Sequence, residues 1–586
     1  MGVNHPYNRW TANREALFGV ALFSVVLVVY SLTWFQGLGI SISAIGAERV
    51  LRGEIPYRDF WTMYAPGHFY LLALLFRVFG THILVDTIAA SVICSAASWV
   101  CYRLVYNLAK RRLAALACAA IFVAATLNTG YFKSVGSYPP AILFVLAGLN
   151  FMVSHYRTGK LRYLIAAGLA TGAVVVFKHD VGGYTAIAIL FGMVGHHFFI
   201  PAAAAQRVGF LLFKLTSYGV GVAAIVLPVA ILFSILAGGD LLQNLVIFPL
   251  TDFRFARPEH YPGLFEFDIF GGSLLNALLK LFRYINFALP FMLFLLGLVA
   301  TAVAVRKHNA TYVAIGITFS AAYVLHYSAA HVQINTHIIS MSIYGVFLGV
   351  LFYDLHGHEI GIRVPAVIKL ASLFLIGGWF LSLIAEPVDK AWTNRRWLTT
   401  EMEFKKVSGL KVSPGLAKNY SDLLTFVDAH IAADESLFVG LHRHDIVIVG
   451  ANAADYFILD RPIASRYHEI HPAVVDTSEV QREIIRDLQG KKVSLIILKR
   501  IKPDERLDTV KRIFAKNLPQ IGATDLDGFI RENYVQVGEI GNNALWMRKD
   551  RMVPVAGSFE LYRTNTFNET STTASVGRRR RESLGR

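Results

Sequence analysis

Residues 41–67, set between two apolar runs near the start of the chain, carry Glu48, Arg49, Arg52, Glu54, Tyr57, Arg58, Asp59, Trp61 and Tyr64. Ionisable groups this dense beside membrane-seeking segments are costly unless they are solvated, paired or used, so chemistry is sought here first. Asp59 follows Pro56-Tyr57-Arg58. The proline fixes a turn and the arginine can hold the carboxylate ionised, which suits either a base poised at a membrane surface or a salt bridge with Arg58 or Arg52 that orders the loop. Glu48 stands one helical turn before Arg52, the spacing of an ordinary solvated helix pair. Glu54, beside Gly53, suits a turn.

Cations elsewhere could meet a phosphate. Lys178 precedes His179-Asp180 at the end of an apolar run, where a snorkelling lysine is the common alternative. Arg254 and Arg257 alternate with aromatics and prolines in Phe253-Arg254-Phe255-Ala256-Arg257-Pro258-Glu259-His260-Tyr261. Such a mixture fits a phosphate beside a sugar or another planar surface, or a loop anchored at the interface by its aromatics. His331 and His337 flank Gln333 and Asn335; their separation is not that of a helical zinc pair, and a hydrogen-bonding rim fits better. Tyr57, Tyr64 and His260 complete the side chains able to contact a substrate. No P-loop, GxSxG elbow or HExxH occurs, so ATP-driven phosphate chemistry and serine or zinc hydrolysis lack their signatures.

These residues need a scaffold, and the composition says which. Of 586 residues, 55% are hydrophobic and 16% charged, with a mean hydropathy of +0.48 and a pI near 9.6. That profile belongs to a polytopic α-helical membrane protein. The formal charge of +16 lies at the ends of apolar runs and in the tail, the pattern of positive-inside loops and not of a nucleic-acid-binding surface. Cys94, Cys101 and Cys118 all fall inside apolar segments, with no disulfide framework. Arg9 and Arg14 precede a first span near 16–34, expected to be a retained anchor.

Spans are then expected near 83–106, 113–128, 138–155, 162–177, 182–200, 209–237, 285–305, 311–328, 337–354 and 365–385, about eleven in all. This count keeps Lys110, Arg111, Arg112, Arg157, Lys160, Arg207, Arg306 and Arg363 on one side, the cytoplasm. The apolar stretch 68–79 is too short to cross and is expected to lie in the interface with the helix-spaced stretch 41–51. The loops holding Asp59, Lys133, Lys178, Arg254 and His331 then share the outer face. Beyond residue 389 the composition changes. Residues 390–560 alternate helix-period and strand-period segments, with a helix near 421–433, a strand at 437–440, a helix near 478–488 and a strand at 493–498; a small extracytoplasmic α/β domain is expected. Residues 561–586, Ser/Thr/Asn-rich and then basic, are expected to be a disordered tail.

With these motifs in place, the first loop resembles a known superfamily. Ala47-Glu48-Arg49-Val50-Leu51, Gly53-Glu54, Pro56-Tyr57-Arg58-Asp59-Phe60, Tyr64-Ala65-Pro66-Gly67 and Leu71…Ala73…Phe76…Phe79-Gly80 are similar to the first outer loop of bacterial GT-C glycosyltransferases of the protein O-mannosyltransferase and lipid A aminoarabinose transferase type. Further matches are Phe177-Lys178-His179-Asp180-Val181-Gly182, Asp455-Tyr456-Phe457, Arg461-Pro462 and Arg466-Tyr467. The resemblance implies a many-span fold with interfacial helices in its first outer loop. It implies a sugar donor carried on a polyprenyl phosphate, transfer to a lipid, glycan or protein hydroxyl at the outer face of the cytoplasmic (inner) membrane, and, in some relatives, a divalent metal such as Mg or Mn. Asp59 and Glu48 would take the catalytic carboxylate role; Arg58, Lys178, Arg254 and Arg257 are expected as the phosphate partners, the last three on their placement more than on the motif. Many relatives carry an Asp about nine residues before the position of Glu48, where this chain has Gly39. A flippase or exporter of lipid-linked saccharides, and an envelope-assembly protein with a degenerate site, are the competing readings.

Overall fold

The structure is a computed structural model that describes residues 9–200, 204–256, 274–329, 334–355, 366–445, 450–451, 453–500, 518–551 and 562–563. Its first part is helical throughout: α1 (Arg9–Ser31), α2 (Ile42–Leu51), α3 (Gly67–Phe79), α4 (Ile83–Ala109), α5 (Arg112–Leu127), α6 (Tyr138–Thr158), α7 (Leu161–Phe177), α8 (His179–Phe199) and α9 (Ala204–Ala237). Long helices follow at Leu274–Arg306, Ala310–Ala329, Ile334–Leu355 and Ala366–Trp397. Each stretch expected to span falls on one of these helices. Among the described residues, five are long and apolar enough to cross a membrane: Ile83–Ala109, Tyr138–Thr158, His179–Phe199, Val208–Ala237 and Ala288–Arg306. The final helix runs to Trp397, past the point where the apolar run ends near residue 385, because its polar last turns keep the helical backbone bonds.

The two short helices owe their form to local chemistry. Ser41 caps α2, its Oγ accepting from the Ala44 N–H at 3.3 Å, and Gly53, at φ 88°, ends it. At 13 residues, α3 reaches only about 20 Å, short of the ~30 Å hydrocarbon layer. It buries Phe69, Leu72, Ala73 and Phe76 and exposes Leu74, Val78 and Phe79, the two-sided pattern of a helix lying in an interface. Two glycines permit the approach. A Cβ on Gly46 would stand 2.3 Å from the Phe69 ring, and one on Gly67 would stand 2.7 Å from the Val176 carbonyl, so α2 meets α3 and the start of α3 meets the end of α7 at backbone distance.

The bundle has two chemically distinct ends. At one, Arg112 pairs with Glu15 at 2.8 Å, Arg157 donates to the Leu108 carbonyl at 2.7 Å and Arg111 lies over the Tyr353 ring. At the other lie α2, α3, the turn 128–137 and Lys178. Against this second end stands the C-terminal part, a five-stranded mixed sheet in the order β3-β6-β8-β7-β9. Here β3 is Phe438–Leu441, β6 Leu495–Lys499, β7 Tyr534–Ile540, β8 Asn543–Arg548 and β9 Tyr562–Arg563. β3 and β6 are parallel, whereas β6–β8 and β8–β7 are antiparallel. Two-stranded pairs join Thr400–Glu401 (β1) to Lys411–Val412 (β2) and Gly450–Ala451 (β4) to Glu469–Ile470 (β5). β3 and β6 lie within two residues of the strands expected at 437–440 and 493–498; the helix expected near 421–433 starts earlier, at Pro414, where proline at its first position is preorganised. The composition break at 390 is not a break in packing. One apolar core joins Ala44, Ile45, Leu72 and Phe76 to Leu423, Val439, Phe457 and Leu495.

Candidate active site

The loop between α2 and α3 is built around Arg49, buried to 3% exposure. Its guanidinium donates to Glu54 at 2.7 Å, to the Asp59 carbonyl at 2.9 Å and to the Ser465 carbonyl at 3.2 Å, and lies over the Phe60 ring. A buried arginine must satisfy its donors, and here they tie the loop to itself and to the C-terminal part. Arg466 completes the tie, donating to the Tyr57 carbonyl and to Asp240 at 3.1 Å. Tyr57 holds φ 72°; its ring is wholly buried against Phe233 and its hydroxyl donates to the Tyr64 carbonyl at 2.8 Å.

On the other side of this loop opens a cavity of about 420 Å³. One wall is the segment 39–43 with Ser41 and Ser43; the opposite wall is the turn before α6 with Ser134, Ser137 and Tyr138; Tyr64 and His68 close it. Lys178 stands behind, its Nζ 5.0 Å from the Tyr138 ring centre and 2.9 Å from Asp180. Burial and the Lys178 charge hold the His68 imidazole down to about 3, so it stays neutral and serves as a hydrogen-bonding group, not as a base. Burial raises the Tyr64 phenol, with Glu469 adding to the effect, so it remains a hydrogen-bond donor. Asp86, fully buried in the first turn of α4, accepts from the Ser41 hydroxyl at 3.3 Å and from the Val135 N–H at 2.5 Å, joining the two walls. Glu469 lies deeper: its Oε1 accepts from the Thr62 hydroxyl at 3.5 Å, Thr62 in turn accepts from the Tyr64 N–H at 3.3 Å, and burial pushes its carboxyl up to about 8.

No family model and no curated protein matches the chain. Among solved structures, it is similar to ArnT from Cupriavidus metallidurans bound to undecaprenyl phosphate, at 12% identity and a TM-score of 0.49, covering 92% of this chain and 99% of that one. Apo ArnT from the same organism gives 13% and 0.46, covering 91% and 98%. The arabinofuranosyltransferase AftD from Mycobacteria gives 12% and 0.45, covering 91% of this chain and 40% of that one. ArnT and AftD are GT-C glycosyltransferases. At these scores the likeness is one of coarse shape.

The structure brings Tyr64 to the cavity and Lys178 to its edge. Asp59 and Glu48 stand elsewhere and line no part of it. Asp59 accepts from the Ile55 N–H at 2.7 Å and pairs with Arg58 at 2.7 Å; that hydrogen bond to Arg58 is the main reason its carboxyl lies below the ordinary value. Arg58 is engaged by the same pair. Glu48 faces the C-terminal part and pairs with Lys406, which also reaches Asp460 at 2.7 Å; burial raises its carboxyl and Lys406 opposes that. Tyr57, expected to touch substrate, is instead a buried post of the loop, since its hydroxyl is used within the fold. Arg254 lies in the short helix Asp252–Ala256 and His337 in Ile334–Leu355, their side chains outside the described residues, as are Arg257, His260 and His331 altogether. Among the described residues no three His, Cys, Asp or Glu gather as a metal site.

Sequence reasoning missed His68, Asp86, the serines of 134–137, Arg49 and Glu469. Only Ser41 left a signal, as a helix cap before an apolar run. Asp86 meets its partners at separations of 45 and 49 residues, which no local spacing encodes.

Proposed function

We propose that this chain is an integral-membrane glycosyltransferase moving a sugar from a polyprenyl-phosphate donor to an acceptor hydroxyl on the outer face of the cytoplasmic membrane. Residues 1–389 form its membrane part, 390–560 an extracytoplasmic cover and 561–586 a tail. The observation that carries this reading is the place and lining of the cavity: it opens at the bundle end opposite the Arg112–Arg157 end, beneath interfacial helices, walled by hydroxyls and phenols with a lysine at its edge. The positive-inside rule makes the arginine-rich end cytoplasmic and the cavity end outer.

The chemistry asks for what that lining supplies. The bond from the sugar's anomeric carbon to the phosphate oxygen breaks with its electron pair going to the phosphate, and the acceptor oxygen bonds to that carbon. Lys178 supplies positive charge, and the Tyr64, Tyr138 and serine hydroxyls supply donors, to the oxygen on which negative charge grows. Neutral His68 can orient the acceptor through a hydrogen bond. The cover formed by α2, α3 and the C-terminal part keeps out water that would hydrolyse the donor. Because Asp59 and Glu48 are held in ion pairs, we assign them the task of shaping the loop.

Purified protein in lipid nanodiscs, supplied with undecaprenyl-phosphate sugars and candidate lipid, glycan and peptide acceptors, should release undecaprenyl phosphate. Folded protein that releases none from any donor overturns the reading. An exporter would move the intact lipid-linked sugar across a vesicle membrane with no bond broken, and that outcome would favour the transport alternative.

A further inference from the structure

Asp86 poses a physical question that packing alone does not answer. Its carboxylate is fully buried, and among the described residues no lysine or arginine pairs with it. Its partners are the Ser41 hydroxyl on Oδ2 at 3.3 Å and the Val135 N–H on Oδ1 at 2.5 Å. A carboxylate stripped of water and given no cation is expensive to keep. A neutral asparagine of the same shape could join the same two walls at lower cost. What the acid offers, and an amide lacks, is a place to put a proton.

Ser41 makes that place reachable. Ser41 lines the cavity; its hydroxyl accepts from the Ala44 N–H at the start of α2 and donates to Asp86, which leaves one lone pair for a further donor. We infer that Asp86 is a positioning residue of this site: it aims the Ser41 hydroxyl into the cavity and receives the proton that Ser41 passes on during transfer. The inference rests on the proposed sugar transfer. In the step, the acceptor hydroxyl gives its proton to Ser41 Oγ as Ser41 gives its own to Asp86 Oδ2. The acceptor oxygen bonds to the anomeric carbon, and the bond to phosphate breaks with its electron pair leaving on the phosphate. Atoms and charge balance, with the carboxylate neutralised as the phosphate gains charge, and the proton returns to water once product has left. His68, which closes the cavity beside Tyr64, is then free to orient the acceptor.

The test is steady-state transfer from an undecaprenyl-phosphate sugar by the full-length protein in nanodiscs. Asp86→Asn keeps the shape and the Val135 bond, and Ser41→Ala removes the hydroxyl. For Asp86→Asn we expect kcat to fall about a hundredfold, the usual scale of proton-transfer assistance, with KM within about twofold and a melting temperature no lower than wild type. Ser41→Ala should lose kcat to a similar degree, and Ser41→Thr, which restores the hydroxyl, should recover most of it. The inference is overturned if Asp86→Asn keeps the wild-type kcat, if its loss lies in KM or in the melting temperature, or if Ser41→Ala turns over normally. A folded wild-type protein that turns over no donor removes the transfer reading itself and this inference with it.

Discussion

Set side by side, the acids of the first loop and those near the cavity keep opposite company. Asp59 pairs with Arg58, and Glu48 with Lys406 and, through it, with Asp460 and Arg52. Asp86 and Glu469 meet hydroxyls and a backbone N–H. The first group meets cations, Asp59 at the adjacent residue and Glu48 across 358 residues of chain; the second is brought by folding to a serine or threonine far along the chain. An acid matched by a cation stays ionised and fixes geometry. One left among hydroxyls in an apolar surround holds a proton readily. The carboxylates of the charge-dense first loop are thus held in ion pairs, whereas Asp86 and Glu469 pair with no lysine or arginine among the described residues.

Lys178 gives the largest effect by which to break this contrast, since it is the cation at the cavity edge. Lys178→Met should lower kcat about a hundred- to a thousandfold if it offsets charge on the departing phosphate, with the folded fraction read by size-exclusion chromatography. A rate within tenfold of wild type would move the phosphate away from the cavity. Next comes Glu48→Ala. It should cost about 2 kcal/mol of stability, below the 3–5 expected for a stranded buried charge because Asp460 still accepts from Lys406. Its kcat, measured on folded protein, should stay within about threefold. Denaturant melting and turnover together separate a frame residue from a base.

Glu469→Gln sharpens the other half of the comparison. Burial pushes Glu469 to about 8 from an ordinary 4.5, so the folded protein holds a proton that the unfolded chain releases above about pH 4.5. Its contribution to stability is complete below that value, falls by up to about 1.4 kcal/mol per pH unit as pH rises, and is gone above about 8. Wild type should therefore lose more melting temperature than Glu469→Gln between pH 6 and pH 9. Equal losses would show that Glu469 does not carry the proton.

Much of the frame was legible along the chain because its causes are local. The shortness of α3 and the placing of Lys178 at a helix junction follow from neighbours within a turn or two. The hairpin of β7 and β8, turning at Gly541-Asn542 with Gly541 at φ 58°, carries a recognised two-residue turn signal, yet it lies outside the expected strands. The cavity was not legible. Its two walls lie about ninety residues apart, and the acid that joins them sits at the mouth of an apolar helix where, in sequence, it is one polar residue among hydrophobic ones.

The smallest expected effect falls on Asp59, and it bears most directly on the comparison. Asp59→Ala removes the carboxylate that accepts from the Ile55 N–H at 2.7 Å and the partner of a half-exposed Arg58. Water can replace much of that, since the Asp59 side chain is itself 30% exposed, so the loss should be about 1 kcal/mol. Arg49 still holds the loop through Glu54, the residue-59 carbonyl and Ser465, none of which needs the Asp59 side chain. Turnover should then remain within about threefold of wild type. A variant that melts normally but transfers a hundredfold more slowly would reverse the contrast: the base would stand in the charged loop, and the cavity beside Asp86 would be a pocket for something other than the reacting sugar.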